Sequence, residues 1–320
     1  MANDPWQTIA GNVVLIPPNP KGIIHFHGGA VVAAAPQVTY RLLLEYLADQ
    51  GYVIVATPFT SGLDHGEIAK TTLNRFEQAI ARLHHARQLG SRYLPVYGLG
   101  HSMGCKLHLL IASLFEVERA GNVFLAYNNF PAKRSIPLLE QMTDTLSNPL
   151  DRMRQAARQA VTDRNLPASL RDAIPADWKN TIKQGLKQID LENLRSGELN
   201  FDKLDLNKLE FIPSPDETLE IITADYPVRR NLLVKFREDD LDQTLTLRDV
   251  LTDKFGNFVS FRLLNGNHTT PIGQDLRWPV GETFSPIDAV GQWMRQGVYQ
   301  DLDRLKREIA RWLDPTVTPA

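Results

Sequence analysis

Through the first 130 residues, short apolar runs alternate with amphipathic segments. Residues 13–16, closed by Pro17 and Pro18, and residues 23–26, ending in His27-Gly28-Gly29, read as buried strands. After Pro36, the residues Tyr40, Leu43, Leu44 and Leu47 fall at i, i+3, i+4 and i+7. That spacing predicts a helix with one apolar face, which Gly51 stops. Residues 52–56 read as the next strand. Asp64 with Glu67 has the spacing of a capping box and opens a helix on which Leu73, Phe76, Ile80 and Leu83 share a face. A further strand carries Leu94, Val96 and Tyr97, a helix carries Leu107, Leu109, Leu110, Ile111 and Leu114, and residues 123–127 form another strand. Strands separated by helices predict a mostly parallel sheet with helices covering its faces.

The pattern changes after Phe130 and Pro131. Through residue 227 the chain is richer in charge and proline, and its helical pieces are short. Leu150, Met153, Ala157 and Val161 fit one amphipathic helix, and Trp178, Ile182 and Leu186 fit a second. Residues 191–211 repeat leucines among charges without a clear period. Strand-like sequence returns at 232–236 and 258–264, followed by amphipathic stretches at 287–294 and 302–313. The expected organisation is a discontinuous α/β core, residues 1–130 and 228–320, interrupted by a helical lid insertion at 131–227.

Composition narrows the class further. The chain of 320 residues carries 35 basic and 37 acidic side chains, so nothing in its charge attracts nucleic acid or an anionic membrane. No stretch approaches the roughly 18 apolar residues of a membrane span. The segment 1–7 lacks the basic and apolar regions of a secretory signal. Cys105 is the single cysteine, which excludes an internal disulfide and suits a reducing compartment. It reads as a small packed residue rather than a reactive thiol. A cytoplasmic location is expected.

The chemistry concentrates at Gly100-His101-Ser102-Met103-Gly104, between an apolar strand and an apolar helix. This G-x-S-x-G arrangement is the nucleophile elbow of α/β-hydrolases. A serine there must take a strained backbone conformation to lift its hydroxyl above the sheet, and flanking glycines remove side chains that would collide. The alternative is a glycine-rich turn whose serine caps the following helix.

A serine hydroxyl needs a histidine base and an orienting carboxylate, which in this fold follow the serine in the order acid, then histidine. After residues 232–236 come Glu238, Asp239, Asp240 and Asp242. Asp239 is the favoured acid because the apolar Leu241 stands two places on; Asp242 and Asp240 remain alternatives. After residues 258–264, Asn265-Gly266-Asn267-His268 places His268 where the base belongs. The amide of Met103 supplies one oxyanion donor. The second is expected from the loop His27-Gly28-Gly29-Ala30, with Gly29 favoured and Ala30 open. His25 and His27 share one face of a strand, which suits zinc, but no partnering motif accompanies them, so neither a metal nor a cofactor is expected.

Three stretches carry a resemblance. They are His25-Phe26-His27-Gly28-Gly29-Ala30 running on through Pro36 and Gln37 to Tyr40 and Arg41; Gly100 through His108; and Leu233-Val234-Lys235-Phe236 with Asp239 and Asp242. Together they resemble an uncharacterised α/β-hydrolase-like family, a domain of unknown function found in cyanobacteria and plant chloroplasts. The resemblance implies the α/β-hydrolase fold and a phototroph setting, and no substrate. His27 departs from it, standing where an apolar residue is expected.

These readings together predict a serine hydrolase with a triad of Ser102, His268 and Asp239, acting on a small ester, thioester or lipid-like substrate, with acyl lipids and pigment side chains among the candidates. The small-residue run 31–35 leaves room for a bulky acyl or alcohol group. Two alternatives stand beside it: a catalytically silent binding or scaffold protein on the same fold, and an acyltransferase using the same triad.

Overall fold

The computed structural model describes residues 5–30, 32–90, 93–132, 135, 210–273 and 286–316. The chain divides into two units, 1–129 with 212–320, and 130–211. The helices expected at 150–161 and 178–186, and the leucine-rich stretch 191–209, lie outside the described residues.

The first unit contains strands β1 (Gln7–Ile9), β2 (Asn12–Leu15), β3 (Gly22–His27), β4 (Tyr52–Ala56), β5 (Val96–His101), β6 (Gly121–Leu125), β7 (Asn231–Phe236) and β8 (Val259–Leu264). They form one sheet in the order β1-β2-β4-β3-β5-β6-β7-β8. The β1–β2 and β2–β4 pairs are antiparallel; every pair from β4 to β8 is parallel. Between the strands run helices α1 (Pro36–Thr39), α2 (Arg41–Asp49), α3 (His65–His85), α4 (Met103–Leu114), α5 (Pro215–Asp225), α6 (Thr244–Phe255) and α7 (Pro286–Leu313).

Alternation along β3 explains the two faces of the sheet. Ile24 and Phe26 point into a core shared with Leu43, Leu44 and Leu47 of α2 and with Leu302, Leu305 and Ile309 of α7. Ile23 points the other way, into a core with Leu73, Phe76 and Leu83 of α3 and Leu107, Leu110 and Ile111 of α4. The predicted α2 face, Tyr40, Leu43, Leu44 and Leu47, is fully buried, and each leucine contributes roughly 1.5–3 kcal/mol by leaving water.

Local expectations fail where the signal was ambiguous. The Asp64 side chain does accept the Glu67 amide at 2.8 Å. The Glu67 carboxylate, however, takes the Thr71 hydroxyl rather than reaching back. The reciprocal capping box sits instead at Ser214 and Glu217, opening α5. The stretches 287–294 and 302–313 belong to one continuous 28-residue helix, α7. The hydrophobic pattern marks no helix at α6, along which Thr244, Leu247 and Leu251 are buried and Val250 and Phe255 pack partly buried against the same core.

On the α3 and α4 side of β3, the face that carries Ile23 also carries histidines. The rings of His25 and His27 lie 4.3 Å apart, and those of His27 and His108 lie 4.4 Å apart. His25 is fully engaged: Arg119 donates to Nδ1 at 3.3 Å, and Nε2 donates to Thr57 Oγ1 at 3.1 Å. The Thr57 hydroxyl in turn donates to Asn12 Oδ1 at 2.5 Å. Both His27 nitrogens lack a partner among the described residues. No group of three or more His, Cys, Asp or Glu among the described residues is arranged to hold a metal ion. None of the described helices is long and apolar enough to cross a membrane.

Burial pushes the His25 and His108 imidazoles well below their usual value and those of His27, His65 and His101 down to about 3. An unfolded chain protonates these groups as the pH drops below about 6.5, whereas the folded chain stays neutral until much lower. Stability is therefore complete above about pH 6.5 and falls below it, by up to ~1.4 kcal/mol per pH unit for each group. The urea midpoint is expected to be lower at pH 5 than at pH 7.5. Because His27 leaves polar atoms unmet at a cost of about 1–3 kcal/mol, His27→Leu should raise the midpoint and flatten its pH dependence. A wild-type midpoint that is no lower at pH 5 than at pH 7.5, or a His27→Leu midpoint at pH 5 no higher than the wild type's, would contradict this account.

Candidate active site

Five neighbouring parallel strands, β3, β5, β6, β7 and β8, release their C-terminal loops at one rim of the sheet. Open parallel sheets place their ligand sites at that rim. At the end of β5 the chain reverses within one residue into α4, and Ser102 takes φ 55° and ψ −121°. A serine is strained in this region, where a glycine would be relaxed. The turn tolerates no side chain on either flank. A Cβ at Gly100 would come within 2.6 Å of the Gly104 backbone, and one at Gly104 within 2.2 Å of the His27 carbonyl oxygen. The Ser102 amide is tied to the Leu125 carbonyl of β6 at 2.9 Å.

The structure brings Ser102, His268 and Asp239 together. His268 Nε2 lies 3.0 Å from Ser102 Oγ, and His268 Nδ1 lies 2.8 Å from Asp239 Oδ2. The Asp239 side chain is fully buried and that of His268 is 7% exposed. With an ionised Asp239 accepting from Nδ1, the imidazole presents its Nε2 lone pair to the serine hydroxyl. The loops bearing acid and base are joined directly, because the Glu238 amide donates to the Gly266 carbonyl at 3.0 Å.

Neither alternative acid is hydrogen-bonded to His268. Asp240 is exposed. Asp242 accepts the Thr244 amide at 2.7 Å and the Thr244 hydroxyl at 3.0 Å, and pairs with Lys235 at 3.4 Å. Burial raises the Asp242 carboxyl above its usual value, with Thr244 and Lys235 opposing the rise. The Leu241 position matters through its amide, which donates to Asp239 Oδ1 at 2.9 Å; its side chain is half-buried.

The oxyanion expectation needs one correction. The Gly29 amide donates to the Tyr40 hydroxyl at 2.8 Å and is unavailable to a substrate. The Met103 and Ala30 amides have no hydrogen-bond partner among the described residues. The Tyr40 hydroxyl, accepting from Gly29, must pass its own proton to His101 Nδ1, 2.7 Å away. His101 Nε2 then donates to the His268 carbonyl at 2.8 Å. One directed chain of hydrogen bonds therefore links the loop after β3, the elbow and the loop carrying His268. Burial, with His268 close by, keeps His101 neutral, its imidazole pushed down to about 3.

Sequence reasoning missed Tyr40, which looked like a core position, and His101, which occupies a variable place in the motif. It also missed Asn128, whose Nδ2 lies 3.0 Å from Ser102 Oγ. No local spacing marks Asn128. Cys105 is buried, its thiol directed at the Gly100 and Leu125 carbonyls and pushed by burial well above the ordinary thiol range. It is a packed residue.

A family model described as "Protein of unknown function (DUF1350)" matches residues 5–315. None of the curated proteins compared with the chain matches it. Among solved structures, the chain is similar to the siderophore hydrolase EstB from Aspergillus fumigatus, at 13% identity and a TM-score of 0.51 over 96% of this chain and 95% of that one. It is also similar to Thermogutta terrifontis esterase 2 phosphonylated by sarin, at 13% identity and TM-score 0.47 over 100% and 98%. A lipase in its open form aligns at 16% identity and TM-score 0.45 over 98% of both chains. The fold is that of the α/β-hydrolases.

The Tyr40 link makes a prediction about the site's rigidity. Tyr40→Phe strands the Gly29 amide and His101 Nδ1 inside the protein, and is expected to lower stability by about 2–4 kcal/mol in urea denaturation. A loss under about 0.5 kcal/mol would mean that these groups find other partners.

Proposed function

The chain belongs to the DUF1350 family, and on that premise we propose that it is a serine hydrolase that cleaves an ester or thioester through an acyl-enzyme. The observation that carries the proposal is the relay from Ser102 Oγ through His268 to Asp239, at 3.0 and 2.8 Å, on a serine held at φ 55°. In this reading His268 Nε2 takes the Ser102 proton as Oγ attacks the carbonyl carbon. Asp239 steadies the imidazolium, and the Met103 and Ala30 amides receive the charge on the carbonyl oxygen. Collapse expels the alcohol or thiol, protonated by His268, and leaves an ester on Ser102. Water then repeats the sequence and releases the acid.

The family description names no activity, and likeness to hydrolases at such low identity speaks to fold alone. The proposal therefore rests on the site. A silent scaffold has no need of a serine in strained backbone geometry, aligned with a buried base and acid. That supports an enzyme over a binding module. Acyl lipids and pigment esters remain the candidate substrates from the sequence.

A fluorophosphonate probe should label the wild-type protein on Ser102, and Ser102→Ala should abolish the label. Asp239→Asn keeps the shape but spoils the tautomer of His268, so labelling should slow by about three to four orders of magnitude. Persistent labelling of Ser102→Ala, read by intact mass, would move the nucleophile elsewhere.

A further inference from the structure

The hydrogen bond that Asn128 makes to the nucleophile is not used by the reaction as described. The Ser102 hydroxyl has one proton. His268 Nδ1 gives its proton to Asp239, so Nε2 is an acceptor and the serine proton points to it. The second partner of Oγ must then be a donor, which fixes the Asn128 amide with its Nδ2 toward Oγ at 3.0 Å.

This contact is built by its surroundings. Asn128 lies just past β6, on a turn pinned from both sides. Thr244 Oγ1 accepts the Tyr127 amide at 3.1 Å, the Tyr127 carbonyl accepts the Gln243 amide at 2.7 Å, and Gln243 Oε1 accepts the Asn129 amide at 2.5 Å. Thr244 is itself held by Asp242, through both its amide and its hydroxyl. The Asp242 carboxylate thus braces the turn that aims Asn128.

We propose that Asn128 is a further catalytic residue whose work is in deacylation. The inference rests on the acyl-enzyme reading above. In the resting enzyme the bond to Oγ already exists, so attack by Ser102 gains little from it on the way to the transition state. Once Ser102 is acylated, Oγ is an ester oxygen and a weak acceptor. Water then attacks the acyl carbon, giving a proton to His268 Nε2. The C–Oγ bond breaks, its electron pair goes to Oγ, and the imidazolium returns the proton to that atom while the acid departs. Negative charge builds on Oγ as that bond breaks, and relative to the acyl-enzyme, where its bond to the ester oxygen is weak, the Asn128 N–H gains strength there; attack starts instead from a free enzyme in which that bond is already made. Only an interaction stronger in the transition state than before it speeds a step. Asn128 therefore acts on the second half of the reaction more than on the first.

The test separates the two halves. Fluorophosphonate labelling reports attack alone, and hydrolysis of p-nitrophenyl acetate includes deacylation. For Asn128→Ala and for the isosteric Asn128→Asp, which lacks the donor, the labelling rate should stay within about threefold of wild type. Steady-state kcat should fall about tenfold or more, with KM falling alongside so that kcat/KM changes little. A burst approaching one p-nitrophenolate per protein and an acetyl adduct on Ser102 in the intact mass should accompany it. A parallel loss of kcat/KM and kcat, or an Asn128→Asp variant that turns over like wild type, would overturn the assignment while leaving Ser102 as the nucleophile. If Ser102→Ala still takes the label, the acyl-enzyme reading itself fails, and the role of Asn128 falls with it.

Discussion

A serine held at φ 55° between two glycines that admit no side chain is the constraint around which the rest of the site is arranged. Such a turn is costly, of order 1–3 kcal/mol for the strained residue, and persists only where its surroundings over-determine it. They do so here. The Ser102 amide is tied to β6 through Leu125, Gly104 lies against the loop after β3, and α4 is buried along most of its length. The strain is held by packing, and its product is a hydroxyl raised at the rim where neighbouring strands open their loops.

From that hydroxyl the polar contacts run outward in directed chains rather than as isolated bonds. One passes through His268 to Asp239. A second leads from the Gly29 amide through Tyr40 and His101 back to the His268 carbonyl, so His268 is held at its ring and at its backbone. A third approaches from Asp242 through Thr244 and the Tyr127–Asn129 turn to Asn128. Buried polar groups are stable only when their partners are met, and satisfied networks fix one arrangement of side chains. The histidines of β3 are the counter-example. His25 is fully bonded and His27 is not, although both lie on one face of a strand.

The same logic shows where local reading stops. Asp239 and Asp242 make the same short-range turn, each accepting the amide two residues on, at 2.9 and 2.7 Å. The apolar Leu241 favours Asp239, but the turn geometry itself does not separate the two, and the distinction is which carboxylate His268 Nδ1 reaches. Gly29 stood in the expected place for an oxyanion donor, but its amide is claimed by a hydroxyl eleven residues away. Tyr40 was read as one more apolar tooth of a helix face, and its ring is indeed buried with Leu43, Leu44 and Leu47. Its oxygen is what the periodicity could not see.

By itself the sequence determined the alternation of strands and helices, the elbow turn, and the order along the chain of Ser102, an acidic turn and His268. These follow from short-range physics: side-chain period, the need for glycine at a tight turn, and strands that end in polar loops. Only the tertiary structure decided which acid faces His268, which amide of the early loop is taken, and that Asn128 and His268 both reach Ser102 Oγ. Those outcomes depend on angstrom distances between groups brought together by adjacent strands from distant parts of the chain. Strand order and register set such distances, and no local pattern records them.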